Sequence, residues 1–322
     1  MLNPAIIIIL TTIASICMLY YGASFLISGA LSAASRFKIS DTVVSITLIA
    51  GATSLPELFI LFQAIHNPGG STLAYGTILG SNFANIGLVL GISILISFKN
   101  KFSFNFSSFI PYLLISLFAT FIFCIYGLNI ENLWVKKLFS IVMILLIFLY
   151  IHRLKEETGN YPEIKDKVVV PKTKILLLIL SGAGLLALGS GFLVYIGSEL
   201  QLLGISSAII GSIYFALASS SPEIFTSLFA IFKYKKYDVV VGNVIGSNLA
   251  NIFIFGLITL IFNSESINIP LQSLALLSAL EIGLFCIFFI YFISNKKEKI
   301  IHLHSIVGFL LISVYYLFYK FL

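Results

Sequence analysis

The sequence predicts an all-α polytopic membrane protein of ten transmembrane helices in two inverted five-helix repeats. Three observations carry this expectation. Apolar runs of 18 or more residues recur along a 322-residue chain that is 59% hydrophobic and 10% charged. Basic residues gather on one side of those runs, and residues 39–96 match residues 205–262 without a gap.

Each run is long enough to cross the ~30 Å hydrocarbon layer as a helix. The mean hydropathy of +1.07 belongs to a membrane chain. The short alternating segments of a β-barrel are missing from the pattern. The first span, about 4–29, opens on MLNPAIIIIL, which lacks a basic flank and a small-residue cleavage site, so it reads as a retained helix. The rest follow at about 42–65, 72–97, 107–127, 133–152, 174–198, 207–232, 239–262, 270–293 and 301–320.

Orientation follows from lysine and arginine. With the N-terminus outside, 16 basic residues fall on inside segments, from Arg36 and Lys38 to Lys299; only Lys136, Lys137 and Lys320 fall outside. Both termini are therefore expected outside a cell membrane crossed many times. The net charge of +6 is topogenic, with basic loops meeting anionic lipid. No basic domain is present for nucleic acid, and no protein partner is implied.

The repeat is the most informative feature. ISDTVVSITLIAGATSLPELFILFQAI aligns with ISSAIIGSIYFALASSSPEIFTSLFAI, and GTILGSNFANIGLVLGI with GNVIGSNLANIFIFGLI. At the constant offset of 166, 18 of the 58 positions are identical. They cluster at Pro-Glu and at Gly-Ser-Asn-x-Ala-Asn-Ile. Half of ten helices is five, so the second copy enters the membrane from the opposite side, as in inverted-repeat transporters. Residues 1–152 form the first half, 153–173 a short charged linker inside, and 174–322 the second half. Duplication of a packing unit explains repeated glycines and alanines. It does not explain a repeated glutamate.

Glu57 and Glu223 lie mid-span, where a carboxylate costs roughly 2.5–3.5 kcal/mol on insertion scales. No lysine or arginine occupies a span core, so the missing counter-charge is expected to be a ligand: one Ca2+, two Na+, or protons. Thr53 and Ser54 share a helical face with Glu57, as Ser219 and Ser220 do with Glu223. Pro56 and Pro222 have no N–H for the carbonyls of Ala52 and Ala218, which frees backbone oxygen at membrane depth. Ser81 with Asn85 and Ser247 with Asn251 add hydroxyl and amide oxygens at i, i+4. An inventory made only of oxygens suits a hard cation, and Ca2+ takes six to eight of them. Two ionised carboxylates without a cation resist occlusion, so an empty carrier rarely changes sides. That rule implies an antiporter that moves by small sliding or rocking.

These motifs resemble the two α-repeats of the cation/Ca2+ exchanger superfamily, of the prokaryotic Na+/Ca2+ exchanger type. The family pattern, G-T-S-x-P-E followed by G-S-N-x-x-N, reads here as ATSLPE (52–57) with GSNFAN (80–85), and ASSSPE (218–223) with GSNLAN (246–251). The resemblance implies ten helices in inverted halves, with Ca2+ and Na+ transported and no prosthetic group. It makes Glu57 and Glu223 the shared carboxylates, and Thr53 and Ser219 donors of backbone carbonyls to Ca2+. It makes Ser54, Ser220, Ser81 and Ser247 Na+ ligands, with the carbonyls of Ala50 and Ala216 at the outer Na+ site. Asn85 and Asn251 complete the centre. Three departures stand out: Ala52 and Ala218 replace glycine, Ser219 replaces threonine, and Asn251 stands where some relatives carry aspartate. The last leaves the site with two acids. The linker is too short for Ca2+-sensing domains.

A cation/proton exchanger on the same fold is the nearest alternative, with the two glutamates carrying protons. An intramembrane enzyme built on the carboxylate pair is the remote one. It lacks a partner for the acids, because His66, His152, His302 and His304 lie at span edges. Glu281 is a third membrane acid with no acidic counterpart at the repeat offset. Cys17, Cys124 and Cys286 fit no metal spacing and are expected to be buried by packing. Trp134 is expected as an interfacial anchor.

Overall fold

The computed structural model describes residues 4–64, 70–97, 106–128, 130, 132–157, 170–202, 218, 220–262, 283 and 301–321. Among them every regular element is a helix. The helices are α1 (Pro4–Phe37), α2 (Asp41–Val44), α3 (Ala50–Thr53), α4 (Leu55–Ala64), α5 (Gly70–Ala84) and α6 (Gly91–Ser97). They continue with α7 (Phe106–Tyr126), α8 (Leu133–Glu157), α9 (Lys172–Leu202), α10 (Ser221–Phe229), α11 (Tyr237–Ile261) and α12 (Ile301–Phe321). Three π-helical stretches join them in line: Ser45–Ile49, Asn85–Leu90 and Ala230–Tyr234.

Six helices among the described residues are long and apolar enough to cross a membrane. They correspond to the expected spans 1, 3, 4, 5, 6 and 8. Span 2 is broken into α2, a π turn, α3 and α4, because Pro56 removes a helical donor and Ser54 leaves the helix at φ −84°, ψ 5°. Span 7 is described from Ala218 onward except for Ser219, and span 9 lies outside the described residues apart from Gly283. Span 10 is α12.

The molecule is organised around the motif helices. In an apolar 18-residue window within Ala74–Ile96, 83% of residues are buried, and in the corresponding window of α11 67%, against 22% for that of α1. The Gly-Ser-Asn segments therefore sit at the centre and α1 at the periphery, where Ile9, Leu10 and Ile13 are exposed for acyl chains. Cys17 is exposed on that outer face, a correction to the expectation that it packs inside; Cys124 is buried. Trp134 is 80% exposed at the start of α8, as an interfacial anchor requires.

Small residues let the helices approach. Along α1, Leu19 meets Gly189 of α9, Gly22 meets Gly182 and Leu186, and Gly29 meets Leu178 and Ile179. The reversed order makes α1 and α9 antiparallel. A methyl at Gly246 of α11 would run into the Ile46 carbonyl oxygen and come 2.7 Å from the Ala50 methyl. Gly246 thus seats α11 against the broken span. Nearby, Tyr75 stacks on Phe123 with ring centroids 4.4 Å apart, and Phe255 meets both rings edge-on. At the rim, Lys236 pairs with Asp41, and Arg36 donates to the Val170 carbonyl at 2.7 Å.

Candidate functional site

The site is built from two breaks and two helices. Ser54 sits at φ −84°, ψ 5° and Ser220 at φ −89°, ψ 6°, each just before a proline-led helix start. This region of backbone space is sparsely used and common at functional sites. The break turns the first turns of α4 and α10 inward and carries Glu57 and Glu223 with them. Both glutamates are fully buried.

Each carboxylate meets the serine of the other motif in its own repeat. Ser81 donates to Glu57 Oε1 at 2.8 Å, and Ser247 donates to Glu223 Oε1 at 2.8 Å. Among the described residues the other oxygen of each, Oε2, has no hydrogen-bond partner. The same is true of Asn85 Oδ1, Asn251 Oδ1 and Ser220 Oγ. Buried polar atoms are paired in more than nine cases of ten, so five bare oxygens among the motif residues call for an explanation. Segments 41–64, 70–97, 218–232 and 237–261 contain no lysine or arginine. As oxygens with no cationic side chain in these segments, they could hold a cation from outside the chain.

The halves also bond to each other. The hydroxyls of Ser54 and Ser247 are 2.7 Å apart. Because Ser247 gives its hydrogen to Glu223, Ser54 is the donor. Asn85 Nδ2 donates to Asn248 Oδ1 at 2.9 Å, and Asn251 Nδ2 to Asn82 Oδ1 at 3.0 Å. The Thr53 hydroxyl donates toward the Ala50 carbonyl at 3.1 Å and toward Asn243 Oδ1 at 3.2 Å. It also lies beside the Glu223 carboxyl. Asn243 Nδ2 donates to Thr226 Oγ1 at 3.1 Å, and Thr226 in turn donates to the Pro222 carbonyl at 2.8 Å.

The structure thus brings together Glu57, Glu223, Thr53, Ser54, Ser220, Ser81, Ser247, Asn85 and Asn251. Ser219, Ala216 and Glu281 lie outside the described residues. The Ala50 carbonyl already accepts the Ser54 N–H at 3.1 Å besides the Thr53 hydroxyl. The Ala218 carbonyl, which Pro222 cannot use, accepts the Ser221 hydroxyl at 2.7 Å. Among the described residues no three His, Cys, Asp or Glu side chains cluster. A cation held here would take its remaining ligands from hydroxyl, amide and carbonyl oxygens, a set suited to Ca2+ or Na+.

Asn82, Asn248, Asn243 and Thr226 were not singled out by the sequence. Asn82 and Asn248 close the Gly-Ser-Asn triplet in both repeats, so their identity at the 166 offset was a usable signal. Asn243 and Thr226 had none, since their counterparts are Thr77 and Ile60.

The sequence profile described as sodium/calcium exchanger protein matches residues 7–154 and 174–322, both halves without the linker. The chain is 32% identical over 239 residues to the uncharacterized membrane protein MJ0091 of Methanocaldococcus jannaschii, covering 73% of this chain and 75% of the relative. It is 28% identical to the putative antiporter CaxA of Alkalimonas amylolytica, over 73% of this chain and 74% of that protein. With the sodium/calcium exchanger MaX1 of Methanosarcina acetivorans it shares 25% over 274 residues, 72% of this chain and 77% of MaX1. In fold it resembles the sodium-calcium exchanger NCX_Mj soaked with 2.5 mM Na+ and 10 mM Sr2+, at TM-score 0.73 and 24% identity, over 96% of this chain and 97% of that one. The profile covers nearly the whole chain, and by that match this protein belongs to the sodium/calcium exchanger protein family.

Proposed function

We propose that the chain is a secondary antiporter that exchanges Na+ for Ca2+ across the cell membrane. The observation that carries the reading is the pair of buried carboxylates, each with one oxygen held by serine and the other bare. Beside them stand the bare oxygens of Asn85, Asn251 and Ser220. In this reading Glu57 and Glu223 share the Ca2+, with Asn85, Asn251 and the carbonyls of Thr53 and Ser219 around it. Na+ uses the same carboxylates with Ser54, Ser220, Ser81 and Ser247, and the carbonyls of Ala50 and Ala216 at the outer position.

Coupling follows from charge. Two ionised carboxylates in a water-poor site repel one another, and their desolvation is offset only when a cation lies between them. The empty site stays open to water and the loaded one closes, so ions cross only in exchange. Both termini lie outside in this reading, and the inward Na+ gradient drives Ca2+ out. Hydroxyl ligands around the acids support Na+ as the counter-ion. The sodium/calcium exchanger name of its relative MaX1 supports the same choice.

The test is Ca2+ uptake into proteoliposomes loaded with Na+ and diluted into Na+-free buffer. Uptake that requires internal Na+ is expected, and Glu57→Gln or Glu223→Gln should remove it. Uptake driven by a proton gradient and indifferent to Na+ would assign protons as the counter-ion. No Ca2+ flux under either gradient would reject the substrate.

A further inference from the structure

We infer that Asn82 and Asn248 are positioning residues that aim the side-chain oxygens of Asn251 and Asn85 at the bound cation, each acting on the amide of the opposite repeat. The inference rests on the cation site proposed above and assigns roles to two residues outside that ligand set.

An asparagine is an ambiguous ligand. Its oxygen attracts a cation, its NH2 repels one, and the two ends have nearly the same shape. A carboxylate tolerates a half-turn about its last bond; an amide does not. Where Asn251 stands in place of an acid, some other group must choose which end faces the ion.

Four asparagines, all fully buried, meet where the Gly-Ser-Asn segments of α5 and α11 cross. Asn251 Nδ2 spends one hydrogen on Asn82 Oδ1 at 3.0 Å and the other on Ser81 Oγ at 3.4 Å. Asn85 Nδ2 donates to Asn248 Oδ1 at 2.9 Å. Both amide nitrogens are therefore turned away, and both oxygens are left bare. Asn82 and Asn248 are themselves locked. Asn248 Nδ2 donates to the Asn82 backbone carbonyl at 3.2 Å, and Asn82 Nδ2 to that of Asn248 at 3.5 Å. The four amides form a closed, reciprocal set across the repeat boundary. Two present oxygen to the site; the other two spend theirs in holding them.

The pairing is crossed, and this makes it testable. Asn82 acts through Asn251, and Asn248 through Asn85. Equilibrium Ca2+ binding is measured on the full chain in detergent for Asn82→Ala, Asn248→Ala, Asn85→Ala and Asn251→Ala, and for the doubles that combine them. Each positioning variant alone should weaken Ca2+ binding about tenfold, as groups that orient metal ligands commonly do. In proteoliposomes the half-saturating Ca2+ should rise by a similar factor while the maximal rate changes less than about twofold. Asn82→Ala should add little in the Asn251→Ala background and its full effect in the Asn85→Ala background. Asn248→Ala should do the reverse.

Equal losses in both backgrounds, or unchanged affinity in Asn82→Ala, would overturn the proposal and leave these residues a packing role. Where an alanine variant does not stay monodisperse, the serine variant replaces it, since its hydroxyl is too short to reach the partner amide. If the parent chain binds no Ca2+, the Ca2+ reading of the site fails separately. The same crossed pattern is then required of Na+ binding, and its absence there overturns the positioning role.

Discussion

Ser54 and Ser220 stand 166 residues apart at equivalent places, each at the break before a Pro-Glu pair, each with ψ near zero. Their hydroxyls nevertheless do different things. Ser54 is closed onto Ser247 at 2.7 Å, whereas the Ser220 hydroxyl has no partner among the described residues. Its mirror partner, Ser81, receives Asn251 instead. The helices differ in the same way. The chain from Asn85 to Leu90 is π-helical, while the equivalent stretch of α11 stays α-helical. The two repeats therefore share their glutamate–serine and asparagine bonds and differ where Ser54 and Ser220 meet the opposite half. In transporters built from inverted repeats, alternating access exchanges the arrangements of the halves, and asymmetry of this kind is what one state of such a carrier would show.

The largest effect should come from the residues that the halves share. Glu57→Gln and Glu223→Gln should each lower Ca2+ transport on the order of a hundredfold or more, since each removes a ligand's charge. Full transport by one of the two variants in the proteoliposome assay would mean that a single half holds the ion.

The serines sharpen the comparison. Ser220→Ala removes a bare hydroxyl and should raise the half-saturating Na+ about tenfold. Ser54→Ala removes a hydroxyl already spent on Ser247 and should cost roughly threefold. Equal shifts in a Na+ titration of Ca2+ uptake would mean that the Ser247 contact leaves the Ser54 oxygen as strong a ligand as that of Ser220.

Packing of α11 against the broken span should come next. Gly246→Ala meets a backbone carbonyl, that of Ile46, which cannot step aside, so a loss of about 1–3 kcal/mol is expected. Gly242→Ala meets Ser45, whose hydroxyl is able to rotate, and should cost less in the same denaturation series. A reversed order would mean that the backbone at Ile46 yields first.

The smallest expected effect is at the entry to α2. The Ser40 hydroxyl accepts the Val43 N–H at 2.8 Å, a capping bond whose loss in Ser40→Ala should cost about 1 kcal/mol. Thermal unfolding of the purified variant measures it, with ion binding unchanged.

Much of the site was legible without coordinates. Pro56 and Pro222 announced the breaks, because a missing N–H is a local fact. Ser81 with Asn85, and Ser247 with Asn251, were readable as ligand faces because i, i+4 spacing places them on one side of a helix. The π turn at Ser45–Ile49 and the ψ near zero of Ser54 were not legible, since apolar periodicity registers neither. Asn243 and Thr226 went unseen because the second repeat alone carries them.

The sequence by itself determined the helical membrane class, the repeat, the presence of two glutamates within apolar runs and the all-oxygen inventory. These follow from hydropathy, spacing and residue chemistry, which act over a few turns of chain. The tertiary structure alone decided which of several equivalent partners meet: Ser54 with Ser247, Asn82 with Asn251, Asn248 with Asn85. Those partners lie more than 160 residues apart in sequence. A hydrogen bond forms only within a few tenths of an ångström of its ideal distance, so the choice waits on how the two halves pack.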